Sequence, residues 1–291
     1  MCSPILAYFI AGRVYPAMQK PQVFFNLFIN NGSLLIVSIG MTLVIITGGI
    51  DLSVAGVIAL TSVASASLLQ NGANPIVVMP LMLAMGTVFG FSLGCIIHFL
   101  KVQPFIVTLM GLYFARGLAY IISLNAIPIE NGVYKSIGLT QVAIPFLNAN
   151  VYLYAFVAPI LLAVVIYLSF FTRFGRTIYA IGNNEQSAML MGLPARRTKI
   201  IVYSFSGFCS SLAGIVWSVA LLSGYGQYAP AMELDAIAAV VIGGTMLTGG
   251  VGNVIGTAFG VMYAGALVAS LAYFAERMES LWGFVQKLLG G

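Results

Sequence analysis

The sequence predicts an all-α, polytopic membrane helical bundle, and three observations carry that prediction. Hydrophobic residues make up 60% of the 291 positions and charged residues only 7%, whereas about a quarter of a soluble domain is charged. Mean hydropathy is +1.04. From position 52 to position 100 there is no Lys, Arg, Asp or Glu, which suits a bilayer and not water. A β-barrel would show short alternating strands, and these runs do not alternate. The whole of 1–291 reads as a single transmembrane domain.

At about 20 residues per crossing, the apolar runs make room for about nine helices. A short one at 4–11 has no basic segment before it, so it reads as a clipped first helix and not a signal peptide. The others fall at 33–50, 53–69, 76–100, 104–124, 150–172, 200–222, 235–247 and 251–275. A last apolar segment at 281–289 is too short to span and reads as interfacial.

The first two long runs are separated by Thr47-Gly48-Gly49-Ile50-Asp51-Leu52-Ser53. A carboxylate and a Gly pair between apolar runs mark either a break in one membrane helix or a tight turn between two. The tetrad recurs as Thr248-Gly249-Gly250-Val251, again between apolar runs. Short or broken helices are therefore expected near 47–53 and 248–252, as in the duplicated units of transporters. Chance is the competing account of so short a match in a Gly-rich chain. Gly86, Gly90 and Gly94 are spaced four apart on one run, and Gly252, Gly256 and Gly260 on another. Such stripes let helix backbones approach closely.

The net charge is +5, and its placement speaks of topology and not of nucleic acid. Loop 173–199 carries Arg173, Arg176, Arg196, Arg197 and Lys199 against one acid, Glu185. The positive-inside rule puts it in the cytoplasm. Lys101 then falls inside, while loops 125–149 and 224–233, with Glu276, Arg277 and Glu279, fall outside.

Catalytic patterns fail on context. Gly90-Phe91-Ser92-Leu93-Gly94 matches a nucleophile elbow but lies inside a predicted membrane helix. The single histidine, His98, sits about 240° round that helix from Ser92 and reads as a helix-end residue. There is no Gly-Lys pair for a P-loop, and one histidine excludes a paired-histidine zinc site. Cys2, Cys95 and Cys209 are scattered, giving neither a disulfide frame nor metal spacing. Passage or signalling remains, with no catalytic residue and no metal.

Two regions carry that reading. A carboxylate at the bilayer centre costs about 2.5–3.5 kcal/mol, so Asp51 is paired, near an interface or facing water. It reads as an N-cap for a helix starting at Leu52, as a gate on a pathway with Thr47 and Ser53, or as both. The second region is 184–192. Asn184 can cap a short helix with Ala188, Met189, Leu190 and Met191 in its body, and Gly192 with Pro194 ends it. Exposed Met and Leu there suit docking to a soluble partner; a helix lying on the lipid surface is the alternative.

Four stretches together identify a resemblance: Gly40-Met41-Thr42-Leu43-Val44-Ile45-Ile46-Thr47-Gly48-Gly49-Ile50-Asp51-Leu52-Ser53-Val54; Thr172-Arg173-Phe174-Gly175; Ala180-Ile181-Gly182-Asn183-Asn184-Glu185; and Glu233-Leu234-Asp235-Ala236-Ile237-Ala238-Ala239-Val240-Val241-Ile242-Gly243-Gly244-Thr245. They resemble the permease subunits of sugar-importing ABC transporters, the group with the ribose, galactose and galactofuranose systems. Gly224-Tyr225-Gly226 and Gly249-Gly250-Val251-Gly252 look closest to the galactofuranose-type members.

The resemblance implies a roughly ten-helix permease of the bacterial inner membrane, of which this chain shows about nine helices, and a monosaccharide cargo. It implies a second permease subunit, identical or a sister, a cytoplasmic ABC ATPase that holds the ATP and Mg, and a periplasmic sugar-binding protein. No cofactor is expected on this chain. The segment 185–192 would be the coupling helix in the ATPase cleft, with Arg173, Gly175, Asn184, Glu185, Ala188, Gly192 and Arg196 at that contact. Thr47, Gly48, Gly49, Asp51, Ser53, Gly249 and Gly250 would lie at the breaks. The family has a fuller first helix and one more long helix near the C-terminus. A truncated or non-transporting scaffold or regulatory subunit is the alternative those differences raise.

Overall fold

A computed structural model describes residues 21–145 and 149–267. The expected segments at 4–11 and 281–289, and Glu276, Arg277 and Glu279, lie outside the described residues. The described residues are helical nearly throughout. In order it forms α1 (Pro21–Asn30), α2 (Gly32–Ile46), α3 (Val54–Gln70), α4 (Pro75–Phe99) and α5 (Pro104–Ile122). Then come strand β1 (Ile127–Pro128), α6 (Gly132–Leu139), β2 (Gln141–Ile144), β3 (Ala149–Tyr152) and a 3-10 turn (Leu153–Phe156). The second half holds α7 (Val157–Phe171), α8 (Arg173–Asn183), α9 (Glu185–Leu190), α10 (Ala195–Leu221), β4 (Ser223–Gly224) and α11 (Met232–Ile242), followed by α12 (Val254–Leu267).

Among the described residues, four segments are long and apolar enough to cross a bilayer: Pro75–Phe99, Pro104–Ile122, Leu153–Phe171 and Ala195–Leu221. Their burial separates centre from rim. In their most apolar stretches only 28%, 33% and 28% of the first three is buried, but 61% of the fourth, so α10 is the axle and α4, α5 and α7 turn apolar flanks outward. Every residue of the shorter α2 is buried. A helix apolar all round belongs in the core of such a bundle.

Local sequence sets the starts. Pro75 and Pro104 open α4 and α5, where a missing amide costs nothing. Asn74, Asn131, Thr172 and Asn184 accept first-turn amides of α4, α6, α8 and α9.

α10 packs most extensively on α4, then on α2 and α3. The α4 contact is built on glycine. A Cβ at Gly86 would lie 2.5 Å from the Gly207 carbonyl, and one at Gly90 would overlap the Tyr203 carbonyl. A Cβ at Gly94 would lie 3.1 Å from the Ile200 Cα. Backbones this close leave no room for side chains.

The order of contacts along α10 settles how α2 and α3 run. Ser33 shares a cavity with Trp217 and Ala220, and Gly40 faces Ser206 and Cys209. On the return, Gly214 faces Ile58 and Thr61, and Gly224 faces Ser62 and Ala66. So α2 descends α10, the chain turns over 47–53, and α3 climbs back. The interruption is a turn between two antiparallel helices. α11 and α12 form a second such pair, with Gly243 against Gly256, and Gly260 against the Ala239 carbonyl.

Several boundaries differ from expectation. The helix expected at 33–50 ends at Ile46, and that at 235–247 ends at Ile242, since Gly244 takes a left-handed φ of 93°. The second interruption therefore covers 243–253, wider than 248–252. The run expected at 150–172 begins as strand β3, which pairs with β2. The run expected at 200–222 starts earlier, at Ala195.

Loops 123–152 and 222–231 meet at one end of α10, where β1 pairs antiparallel with β4 and the Ile129 amide donates to the Leu222 carbonyl at 2.8 Å. Arg116 on α5 donates to the carbonyls of Gly226 and Tyr228 at 3.3 and 3.4 Å. The segment 172–194 lies at the other end, beside the start of α10.

Candidate coupling junction

Both interruptions end at one place. In each Thr-Gly-Gly the first glycine is left-handed, with φ of 78° at Gly48 and 87° at Gly249, a conformation side chains resist. The turns touch: a Cβ on Gly249 would lie 2.9 Å from the Gly48 amide nitrogen. The amide of Gly250 donates to the Ile46 carbonyl at 2.9 Å.

Carbonyls freed by a break inside a bilayer need partners, and the bundle supplies them. The Ile50 carbonyl lies 3.5 Å from the donor Tyr203 Oη and 3.3 Å from Thr108 Oγ1, whose one proton it shares with the nearer Pro104 carbonyl at 2.9 Å. The Gly252 carbonyl accepts from Tyr179 Oη at 2.9 Å. Burial pushes the Tyr179 phenol above its ordinary range, so it remains a protonated donor. Thr47 Oγ1 donates to the Val44 carbonyl at 2.7 Å.

Asp51 is fully buried. Its Oδ1 accepts from the Ser53 amide at 3.0 Å and the Ser53 hydroxyl at 2.6 Å. Its Oδ2 accepts from Ser206 Oγ on α10 at 2.7 Å. The helix it precedes starts at Val54, two residues later than expected, so the carboxylate binds Ser53 just ahead of α3. Tyr203 and Ser206 lie 8 and 11 residues beyond Ala195, roughly 12–17 Å along α10. The turn thus sits well inside the bundle.

The end of α8 reaches this junction. A Cβ on Gly182 would overlap the Ile46 carbonyl and the Gly250 amide, and Asn183 packs on Gly250. Immediately after comes the short helix expected at 184–192, here α9. Asn184 Oδ1 accepts from the Ser187 amide at 2.9 Å, and Gly192 closes the turn with φ of 77°. Ala188 is buried against Ile181 and Ala195. Leu190, by contrast, is 90% exposed and Met191 69%. Glu185 pairs with Lys199 of α10 at 2.5 Å, so α9 is fastened to the base of the axle.

The remaining sites are nearby. Arg173 opens α8, and Gly175 lets it fold against the Ser169 carbonyl. Arg196 lies over the Phe99 ring at 4.3 Å. Gly252 packs on Thr245 and Ile46. Seven expected break residues (Thr47, Gly48, Gly49, Asp51, Ser53, Gly249 and Gly250) thus meet in one cluster, with Gly182 joining it to α9. Sequence reasoning missed Tyr203 and Ser206. Their signal was present as a run of hydroxyls in the apolar α10, but no spacing ties them to Asp51.

The sequence matches the family described as "Branched-chain amino acid transport system / permease component" over residues 23–289. The chain belongs to this permease family. It is 41% identical over 285 residues to the inner membrane ABC transporter permease protein YjfF of Escherichia coli K12, covering 96% of this chain and 84% of that one. The fructose import permease protein FruG of Bifidobacterium longum is 42% identical over 240 residues, 81% of this chain and 71% of its own. The ribose import permease protein RbsC of E. coli K12 is 38% identical over 235 residues, 80% and 72%. No solved structure gives a significant match. As an ABC permease component, the chain is a membrane transport subunit.

Proposed function

We propose that this permease carries a monosaccharide inward, driven by a separate cytoplasmic ATPase. The observation that supports the cargo is the identity of about two in five residues with permeases named for fructose and ribose import. The family description names branched-chain amino acids. The sugar reading is favoured because both relatives above with a named cargo are sugar permeases. The Gly224-Tyr225-Gly226 likeness makes galactofuranose the first hexose to try.

The basic segment 173–199 faces the cytoplasm of a bacterial inner membrane on this reading, and the loops joined by β1 and β4 face a periplasmic sugar-binding protein. A second permease subunit completes the pathway. The ATPase grips α9 by its exposed Leu190 and Met191 and holds the ATP and Mg itself. Movement of α9 reaches α10 through Lys199 and reaches both turns through Gly182. The turns are where the two antiparallel pairs, α2–α3 and α11–α12, change direction. A push there rocks both at once, as alternating access requires.

The test is uptake of labelled ribose, fructose, galactofuranose and leucine into vesicles holding this chain with its ATPase and binding protein. ATP-dependent sugar uptake without leucine uptake is the expected result. An assembled complex that moves none of the four favours the non-transporting scaffold.

A further inference from the structure

We infer that the arginine-rimmed groove between α8 and the base of α10 is a site for an anionic phospholipid. The groove holds about 750 Å³ and is bordered by Arg173, Arg176 and Arg197, with Phe174, Leu193 and Ile201 among its apolar walls. No acid lines it. Among the described residues the only ion pair is Lys199–Glu185, so none of these residues gives the three guanidiniums a carboxylate partner. Guanidinium forks match phosphate oxygens two at a time.

Arg197 and Ile201 also line a second cavity of about 390 Å³, with Arg196, Ile200 and Phe91. Phe91 lies eight residues before Phe99 on α4, about 12 Å up the helix from its end, and is 51% exposed. Arg196 is held at this second mouth by the Phe99 ring. Arginines beside apolar walls in two adjacent cavities, the second reaching the level of Phe91, describe a site for an amphiphile with an anionic head. An acidic protein surface would satisfy the arginines but leaves the apolar walls at Phe174, Ile201 and Phe91 unmatched. Basic pockets between membrane helices hold lipid headgroups in this way.

The full chain, purified in detergent, is offered phosphatidylglycerol and phosphatidylcholine in equal amounts, and bound lipid is read by native mass spectrometry. The expected result is preferential retention of phosphatidylglycerol, weakened about tenfold or more in R176Q/R197Q, with monodispersity unchanged. The single variants R176Q and R197Q report part of the same loss if the double variant aggregates. Equal retention of the two lipids by the unaltered chain overturns the inference, as does an undiminished preference in the variants. So does displacement by millimolar inorganic phosphate, which would make the apolar walls irrelevant. Loss of the lipid when the chain is purified with its ATPase or with a second permease would assign the groove to protein instead.

Discussion

The amide of Gly250 donates to the carbonyl of Ile46 at 2.9 Å, and Gly182 lies against both. One bond thereby closes the first interruption with the second, and the helix that leads into α9 is wedged on top. A carbonyl released at the end of α2 is satisfied by an amide released after α11. Each break supplies what the other lacks.

Gly182→Ala puts a methyl group into that junction, overlapping the Ile46 carbonyl and the Gly250 amide. Neither neighbour is the free end of a flexible side chain, so backbone must shift, at a cost of about 1–3 kcal/mol. The expected outcome is lower thermal stability in detergent and loss of ATP-driven uptake, with the ATPase still co-purifying. Uptake equal to the unaltered chain would show that the wedge does not transmit movement.

Ser206→Ala removes the hydroxyl that donates to Asp51 Oδ2 and leaves a buried acceptor unmet, costing about 1–3 kcal/mol. Asp51→Ala alone orphans the donors Ser206 and Ser53 instead. Because the two residues share one bond, the double variant should lose less stability than the single losses added together. Thermal unfolding of the three variants measures this, and strict additivity would argue that the bond contributes nothing.

The legibility of these features in the sequence follows from how far each one reaches. Helix ends that depend on their own neighbours were readable: Asn184 caps α9 and Gly192 ends it, both within a few positions. The antiparallel course of α2 and α3 was not, because it is fixed by what Gly40, Thr61 and Ser62 meet on α10 and beyond. The early stop of α11 at Ile242 was hidden too. Val240, Val241 and Ile242 run on into a Gly-Gly pair, and hydropathy does not register that Gly243 must face Gly256. Asp51 showed plainly as a charge that needs a partner, but the partner, Ser206, is a pairing across the fold.

Glu185 and Lys199 form a half-exposed pair, 38% and 22% exposed, worth about 0–1 kcal/mol. Glu185→Gln should therefore leave thermal stability nearly unchanged. If α9 pulls on α10 through this contact, however, the variant hydrolyses ATP without moving sugar. The charge-swapped E185K/K199E variant should recover part of the uptake. An uptake rate in E185Q equal to that of the unaltered complex would remove the pair from the coupling route.

Leu190→Glu tests what α9 is for. Leu190 is 90% exposed, and surface substitutions away from special features change stability within about ±0.5 kcal/mol, so the fold should not notice. The two readings of the exposed tip then diverge. A tip that docks in an ATPase cleft loses a buried apolar anchor and gains a desolvated charge, and such central contacts cost about 2 kcal/mol or more. Co-purification of the ATPase should fall at least tenfold, and uptake with it, while the permease still reaches the membrane. A tip that merely rests on lipid would give a permease that retains its ATPase and keeps transporting. On the proposed coupling role, a helix fastened at Ala188 and Glu185 yet bare at Leu190 and Met191 offers its tip to a partner, and the first outcome is the expected one.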